Sequence, residues 1–293
     1  MYDIKAIYEA FSVEEAIRLL QEHPEAQILA GGSDVLVQIR EGRRAGKEFV
    51  SIFRIDALRG VTMEEDGTIR IGSLTSFAHI TADPIIQNHL PVLGEAVDQV
   101  GSPQIRAIGT IGGNTCNGVT SADSASTLHA LDAVVELTGP EGVRYLPIEK
   151  FYLSAGKVDL KPAELQTAIL IPKEAYDNYH GFYIKYGMRN AMEIATTGCS
   201  VNVRLNDDKT VIEDIRIGYG VAGPVPLRAR HAEAVGRGLT VSPESIRAIS
   251  EAVSEDVRPR DSWRASKAFR EHLCHVRCER AAEAAIRRAG GEL

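Results

Sequence analysis

The residues that could do chemistry in this chain gather after two glycine pairs. Gly31 and Gly32 follow the apolar stretch Ile28, Leu29 and Ala30 and precede Ser33, Asp34 and Val35; Gly112 and Gly113 follow Thr110 and Ile111 and precede Asn114. A Gly-Gly pair lets the backbone adopt φ > 0 and lets a ligand reach the peptide N–H groups, which then form an anion-binding nest. Ser33, Asp34 and Asn114 add a hydroxyl, a carboxylate and an amide to these turns, and Asp123, nine residues past Asn114, adds a second carboxylate. Two facing nests suit a diphosphate. Asp34 and Asp123 are then left to accept from hydroxyl or amide-type donors, because a carboxylate set directly against a phosphate is repelled. One glycine pair alone is usually an ordinary turn; the repeated pattern is what points to a ligand. Neither turn is a G-x-G-x-x-G or Walker A loop, and no Ser/His/Asp set or H-E-x-x-H motif supports a hydrolase.

Regular elements must position these turns. Ser12 with Glu15 forms a capping box, and Ala16, Ile17, Leu19 and Leu20 give the following helix an apolar stripe that ends near Pro24. A short strand over residues 27–30 leads into the first glycine pair. Residues 49–53 read as another strand, and "VTMEEDGTIRIG" as a hairpin turning at Asp66 and Gly67. Helices are expected around 77–80 and 92–100, before the second glycine pair. "AVVEL", "VRYLPI" and "AELQTAILIP" follow as strands. Beyond a boundary near residues 173–180, "GFYIKYGMR", "CSVNVRLND" and "IEDIRIGYGVA" alternate like a three-stranded antiparallel sheet with one buried face. Two helices close the chain, one opening at Pro243 and one running from about Trp263 to Ala289, with Trp263 as its anchor.

Composition bounds the function. The 293 residues are 44% hydrophobic and 25% charged, the balance of a soluble globular protein with a proper core. A net charge of −7 and no basic stripe argue against nucleic acid and anionic membranes as partners. No run is long enough to span a membrane, and the first twenty residues read as neither signal nor transit peptide. Four cysteines without paired spacing suit a reducing compartment, so the expected location is cytoplasmic. "HLCHVRC" tempts a metal reading through Cys274, His275 and Cys278, but neighbouring helix positions diverge by about 100° and a closed zinc site needs four converging ligands. No metal is expected there. Cys116 reads as a space-filling thiol, and Tyr183 and Tyr186 as packing residues.

Four stretches together resemble the FAD-binding subunit of the molybdenum hydroxylases: "AGGSDVL", "QIRAIGTIGGN" followed by Asp123, "IKYGMRNAMEIA" and "WRASKAFREHL". They occur in the family's order and cover the chain from end to end. Within that family the resemblance is to the flavin subunit of bacterial three-subunit xanthine dehydrogenases. It implies an α+β architecture: a vanillyl-alcohol-oxidase or PCMH-type FAD-binding domain of two α+β subdomains, residues 1–55 and 56–175, then an α+β domain of the CO dehydrogenase flavoprotein C-terminal type over 176–293. It also implies that Ile28, Leu29, Ala30, Gly31, Gly32, Ser33, Asp34 and Val35, with Thr110, Ile111, Gly112, Gly113 and Asn114, cradle the FAD pyrophosphate mainly through backbone N–H groups. Asp123 and Lys185 fall at further FAD positions, as do Val100 and Gln166. Ser33 stands where the family often has Thr, and "GVTSAD" where many relatives carry a proline.

The same resemblance implies an electron-transfer role and no catalytic acid or base. A large partner subunit would hydroxylate substrate at a molybdenum cofactor, a small one would carry [2Fe-2S] clusters, and the flavin would pass the electrons on as hydride to NAD. Two other readings remain: a stand-alone flavin reductase or oxidase of the same fold, and an assembly subunit that has lost its flavin.

Overall fold

The computed structural model describes residues 2–293 and builds them around three principal sheets. The first is parallel, in the order Ile4–Glu9, Lys47–Ser51, Gln27–Leu29. Parallel pairing requires a crossover, and the helix Val13–Glu22 supplies it: Ser12 Oγ accepts from the Glu15 N–H, and Ala16, Leu19 and Leu20 turn onto the sheet with Val50. The first glycine pair emerges at the carboxyl end of the strand Gln27–Leu29 and runs into the short helix Val35–Arg40.

The second sheet is antiparallel, in the order Val61–Met63, Ile69–Gly72, Leu165–Ile171, Val134–Gly139, Gly142–Pro147. Its central strand is apolar at most positions and buried almost throughout, as a strand covered on both faces must be. Ile69, Ile71, Val135, Leu137, Ile169 and Ile171 face helices that include Ile111–Cys116 and Asp123–Ala130.

The third sheet contains the three long strands expected, His180–Tyr186, Thr197–Leu205 and Ile212–Gly220, and gains a fourth, Leu227–Arg228. Two paired residues among prolines are too few to show an alternating pattern, which is why the sequence hides this strand. The helix Lys267–Arg288 packs Cys274, Cys278, Ala281, Ala282 and Ala285 onto one face. The opposite face meets Asp123–Ala130, whose eight residues are all buried. The approach is close: a Cβ on Gly218 would lie 2.0 Å from the Ser126 carbonyl oxygen. Arg228 crosses this junction, donating to the His129 carbonyl at 3.1 Å and to both carboxylate oxygens of the buried Glu233.

Two expectations for the last helix change. It starts at Lys267, where Ser266 caps it by accepting from the Phe269 N–H. Trp263 is therefore outside the helix and anchors nothing: it is 76% exposed, with the Arg264 guanidinium stacked 4.3 Å from its ring. The anchor is Arg270, whose buried guanidinium donates to the Arg260 carbonyl and to Ser262 Oγ. Cys274 and Cys278 lie in the core, while His275 turns away to the Ser250 carbonyl, as the helical period requires.

Candidate functional site

A cleft of about 1030 Å³, counting its open mouth, separates the parallel sheet from the five-stranded sheet. Ile28, Ala30, Gly31, Gly32, Ser33, Asp34 and Val35 form one wall, and Thr110, Gly112, Gly113 and Asn114 form the facing one. Val100 and Gln166 complete the predicted residues on its lining. The two glycine loops touch through their backbones. A Cβ on Gly31 would sit 2.0 Å from the Ile108 carbonyl oxygen, and Gly32 holds φ at +73°. Only glycine fits the first position, and only glycine reaches the second without strain.

The backbone donors of the two loops have different fates. Among the described residues, no N–H from Gly31 to Val35 donates to another atom of the chain, so this turn is an open nest. In the second loop the donors are spent: Ile111 N–H on the Thr75 carbonyl, Gly112 on Ser73, Gly113 on Thr110 Oγ1 and Asn114 on the Thr110 carbonyl. The expected pair of facing nests is thus one nest and one closed, capped turn. The physical reason is Thr110, whose hydroxyl caps the helix Ile111–Cys116 and draws the loop's donors inward. What the second loop offers is side chain: Asn114 Oδ1 accepts from Ser124 Oγ at 2.6 Å, which orients its amide on the cleft wall.

Other predicted residues stand back from the cleft. Leu29 turns toward Gly32, and Ile111 is fully buried beneath the five-stranded sheet, so neither side chain lines it. Asp123 and Lys185 pair with each other. Lys185 Nζ lies 2.8 Å from Asp123 Oδ2 and 3.0 Å from the Gln99 carbonyl oxygen, next to Val100 on the wall. Tyr183 donates its hydroxyl to Asp123 Oδ1 at 2.7 Å. Burial pushes the Asp123 carboxyl up, and the pull of Lys185 and Tyr183 in the other direction is the smaller effect. Burial, with Asp123 opposite, holds the Tyr183 hydroxyl well above its ordinary range, so it remains a donor.

The cleft also holds residues that no motif signalled. Arg44 lies on its wall, as do Ser73, Phe77, Ile105 and Leu165. Cys116 lines it as well and contacts Gln166 Oε1 at 3.0 Å, while Thr115 Oγ1 lies 2.7 Å from the same atom. Burial pushes the Cys116 thiol up to about 12, so it stays protonated.

Comparison with known proteins identifies the family. Residues 2–174 match the FAD binding domain in molybdopterin dehydrogenase, and residues 182–285 match the CO dehydrogenase flavoprotein C-terminal domain. The chain is 41% identical, over all of both chains, to the xanthine dehydrogenase FAD-binding subunit of Escherichia coli O157:H7. It belongs to the FAD-binding subunits of the molybdenum hydroxylases. Within this family it is also 30% identical to the carbon monoxide dehydrogenase medium chain of Hydrogenophaga pseudoflava, over 94% of each chain. A solved structure of carbon monoxide dehydrogenase from that organism superposes with a TM-score of 0.93 at 29% identity, covering 98% of this chain and 99% of that one. FAD is the family's cofactor. The site fits a dinucleotide: an open nest for phosphate oxygens, a glycine where any side chain would collide with the backbone of the facing loop, and apolar walls for planar rings. No helix among the described residues is long and apolar enough to cross a membrane.

Proposed function

We propose that this flavoprotein subunit is the electron exit of a xanthine dehydrogenase-like complex. It takes electrons from the [2Fe-2S] clusters of a small partner subunit, which receives them from a molybdenum-bearing large subunit, and delivers them to NAD. The observation that carries the reading is the open nest at residues 31–35, facing the closed turn at 110–114 across one cleft. The 41% identity over the full length of a xanthine dehydrogenase FAD-binding subunit supports a purine as the substrate of the complex. Bound FAD supplies the chemistry that joins one-electron donors to a two-electron acceptor.

The chain's own residues bind and orient. The N–H groups of Gly31, Gly32, Ser33, Asp34 and Val35 hold phosphate oxygens, with Ile28, Ala30 and Val100 as apolar wall and Leu29 shaping the turn from behind. Ile111, Gly112, Gly113 and Asn114 fix the facing surface by spending their backbone donors internally, Thr110 accepting two of them, and Asn114 presents its side-chain amide. Gln166 closes one side of the cleft, and the Asp123–Lys185 pair fixes the wall at Gln99 and Val100. No side chain is assigned as a catalytic acid or base. The FAD domain spans residues 1–175 and the C-terminal domain 176–293, and the complex works in the cytoplasm.

The deciding experiment is an absorption spectrum of the purified protein, followed by acid release and identification of the flavin. Bound FAD and reduction of NAD by the assembled complex are the expected results. A colourless protein that takes up no added FAD would overturn the reading and favour an assembly role.

A further inference from the structure

Arg44 is the cation on the cleft wall, in a chain whose net charge is −7. Its neighbour Arg43 is neutralised by Glu41, whereas the partners of Arg44 are two uncharged side chains. Nε donates to Gln38 Oε1 and Nη1 to Gln27 Oε1, each at 2.7 Å. Gln27 lies on the strand that leads into the nest, and Gln38 on the helix that follows it. The guanidinium is therefore held in place from both sides of the nest by groups that leave its charge intact, with no hydrogen bond from Nη2 among the described residues. The Gln38 amide Nε2 also donates to the Asp34 carboxylate, and Asp34 is exposed. This chain of bonds holds Asp34, the one acidic residue of the cleft lining among the described residues, at an exposed position while Arg44 stays half-buried. A fixed, unneutralised guanidinium beside a row of open N–H groups is an oxyanion site, and its planar fork suits phosphate.

We propose that Arg44 binds a phosphate of the dinucleotide, completing the charge balance that the nest begins. The inference rests on the flavin reading of the cleft. Its test is FAD and riboflavin binding to the full-length protein freed of flavin, followed by quenching of flavin fluorescence at several salt concentrations, for wild type, Arg44→Gln and Arg44→Lys. Arg44→Gln should weaken FAD binding about tenfold or more, flatten its salt dependence and leave riboflavin, which has no phosphate, unaffected. Arg44→Lys, which keeps the charge, should retain the salt dependence. FAD affinity within twofold of wild type in Arg44→Gln, with the same salt dependence, would overturn the inference and leave the flavin reading standing. An unchanged salt dependence with weaker binding would mean that Arg44 only shapes the loop, and also overturns it. Wild type that binds no FAD sinks the flavin reading itself.

Discussion

Gly31 and Ile108 approach so closely that a single added carbon on Gly31 would stand 2.0 Å from the Ile108 carbonyl oxygen. The contact is backbone against backbone, so no side chain can swing aside to relieve it. It joins the loop of the parallel sheet to the loop of the five-stranded sheet and sets the width of the cleft between them. Gly31→Ala should therefore push the two walls apart and lose bound FAD. Overpacking of this kind costs about 1–3 kcal/mol or more. Flavin content of the purified variant and its unfolding midpoint check the two effects. A variant that keeps full FAD content would show that the loops have slack.

Lys185 and Asp123 make a second prediction. Both side chains are largely buried, at 10% and 7% exposed, and Asp123 is oriented by Tyr183 as well. Removing the ammonium alone leaves a buried carboxyl whose level burial already raises. Lys185→Met should cost about 3–5 kcal/mol in urea unfolding, and adding Asp123→Asn should recover much of it, because the loss is chiefly that of an uncompensated charge. If the double variant is no more stable than the single one, the pair's role is geometric.

The sequence made the glycine turns and the framework legible and concealed how the donors are spent. Ser12 with Glu15, the Asp66-Gly67 hairpin and the strands of the C-terminal sheet all follow local rules: a cap, a turn and an alternation. Residues 110–114 show the limit. "TIGGN" reads as a second nest, but Thr110 and the distant carbonyls of Ser73 and Thr75 absorb its N–H groups, and those carbonyls arrive only through tertiary packing. Arg44 was hidden for the same reason, since "EGRRAGK" does not reveal which arginine turns inward. Trp263 reads as an anchor because size suggests burial, whereas the helix cap three residues later leaves it outside.

His129 gives the pH dependence. It is fully buried, with Nδ1 2.7 Å from the Ala125 carbonyl and Nε2 without a partner among the described residues, and burial lowers its pKa from 6.5 to about 4. The unfolded chain then binds more protons than the folded one between these values. Stability from this group is complete above about pH 6.5 and is lost as pH falls toward 4, by about 3 kcal/mol in all. Urea unfolding at pH 7 and pH 4.5 measures the loss, and His129→Phe should flatten this part of the slope. An unchanged slope in the variant would place the acid sensitivity elsewhere.

The four cysteines allow the last prediction. Burial pushes the thiols of Cys116, Cys274 and Cys278 up to about 12, and Cys199 well above its ordinary value. At pH 8 a thiol with pKa near 12 is a thiolate for only on the order of one molecule in 10⁴, and the thiolate is the nucleophile. Iodoacetamide should leave all four unmodified in the native protein at pH 8 and alkylate all four after unfolding, as mass spectrometry would show. Cys116 is the sharpest case because it borders the cleft and is only partly buried in the fold. Rapid native alkylation of Cys116 that bound FAD prevents would mean that its thiol opens to the cleft more freely than its contact with Gln166 implies. If it is slow with and without FAD, the thiol serves the wall as a small apolar filler.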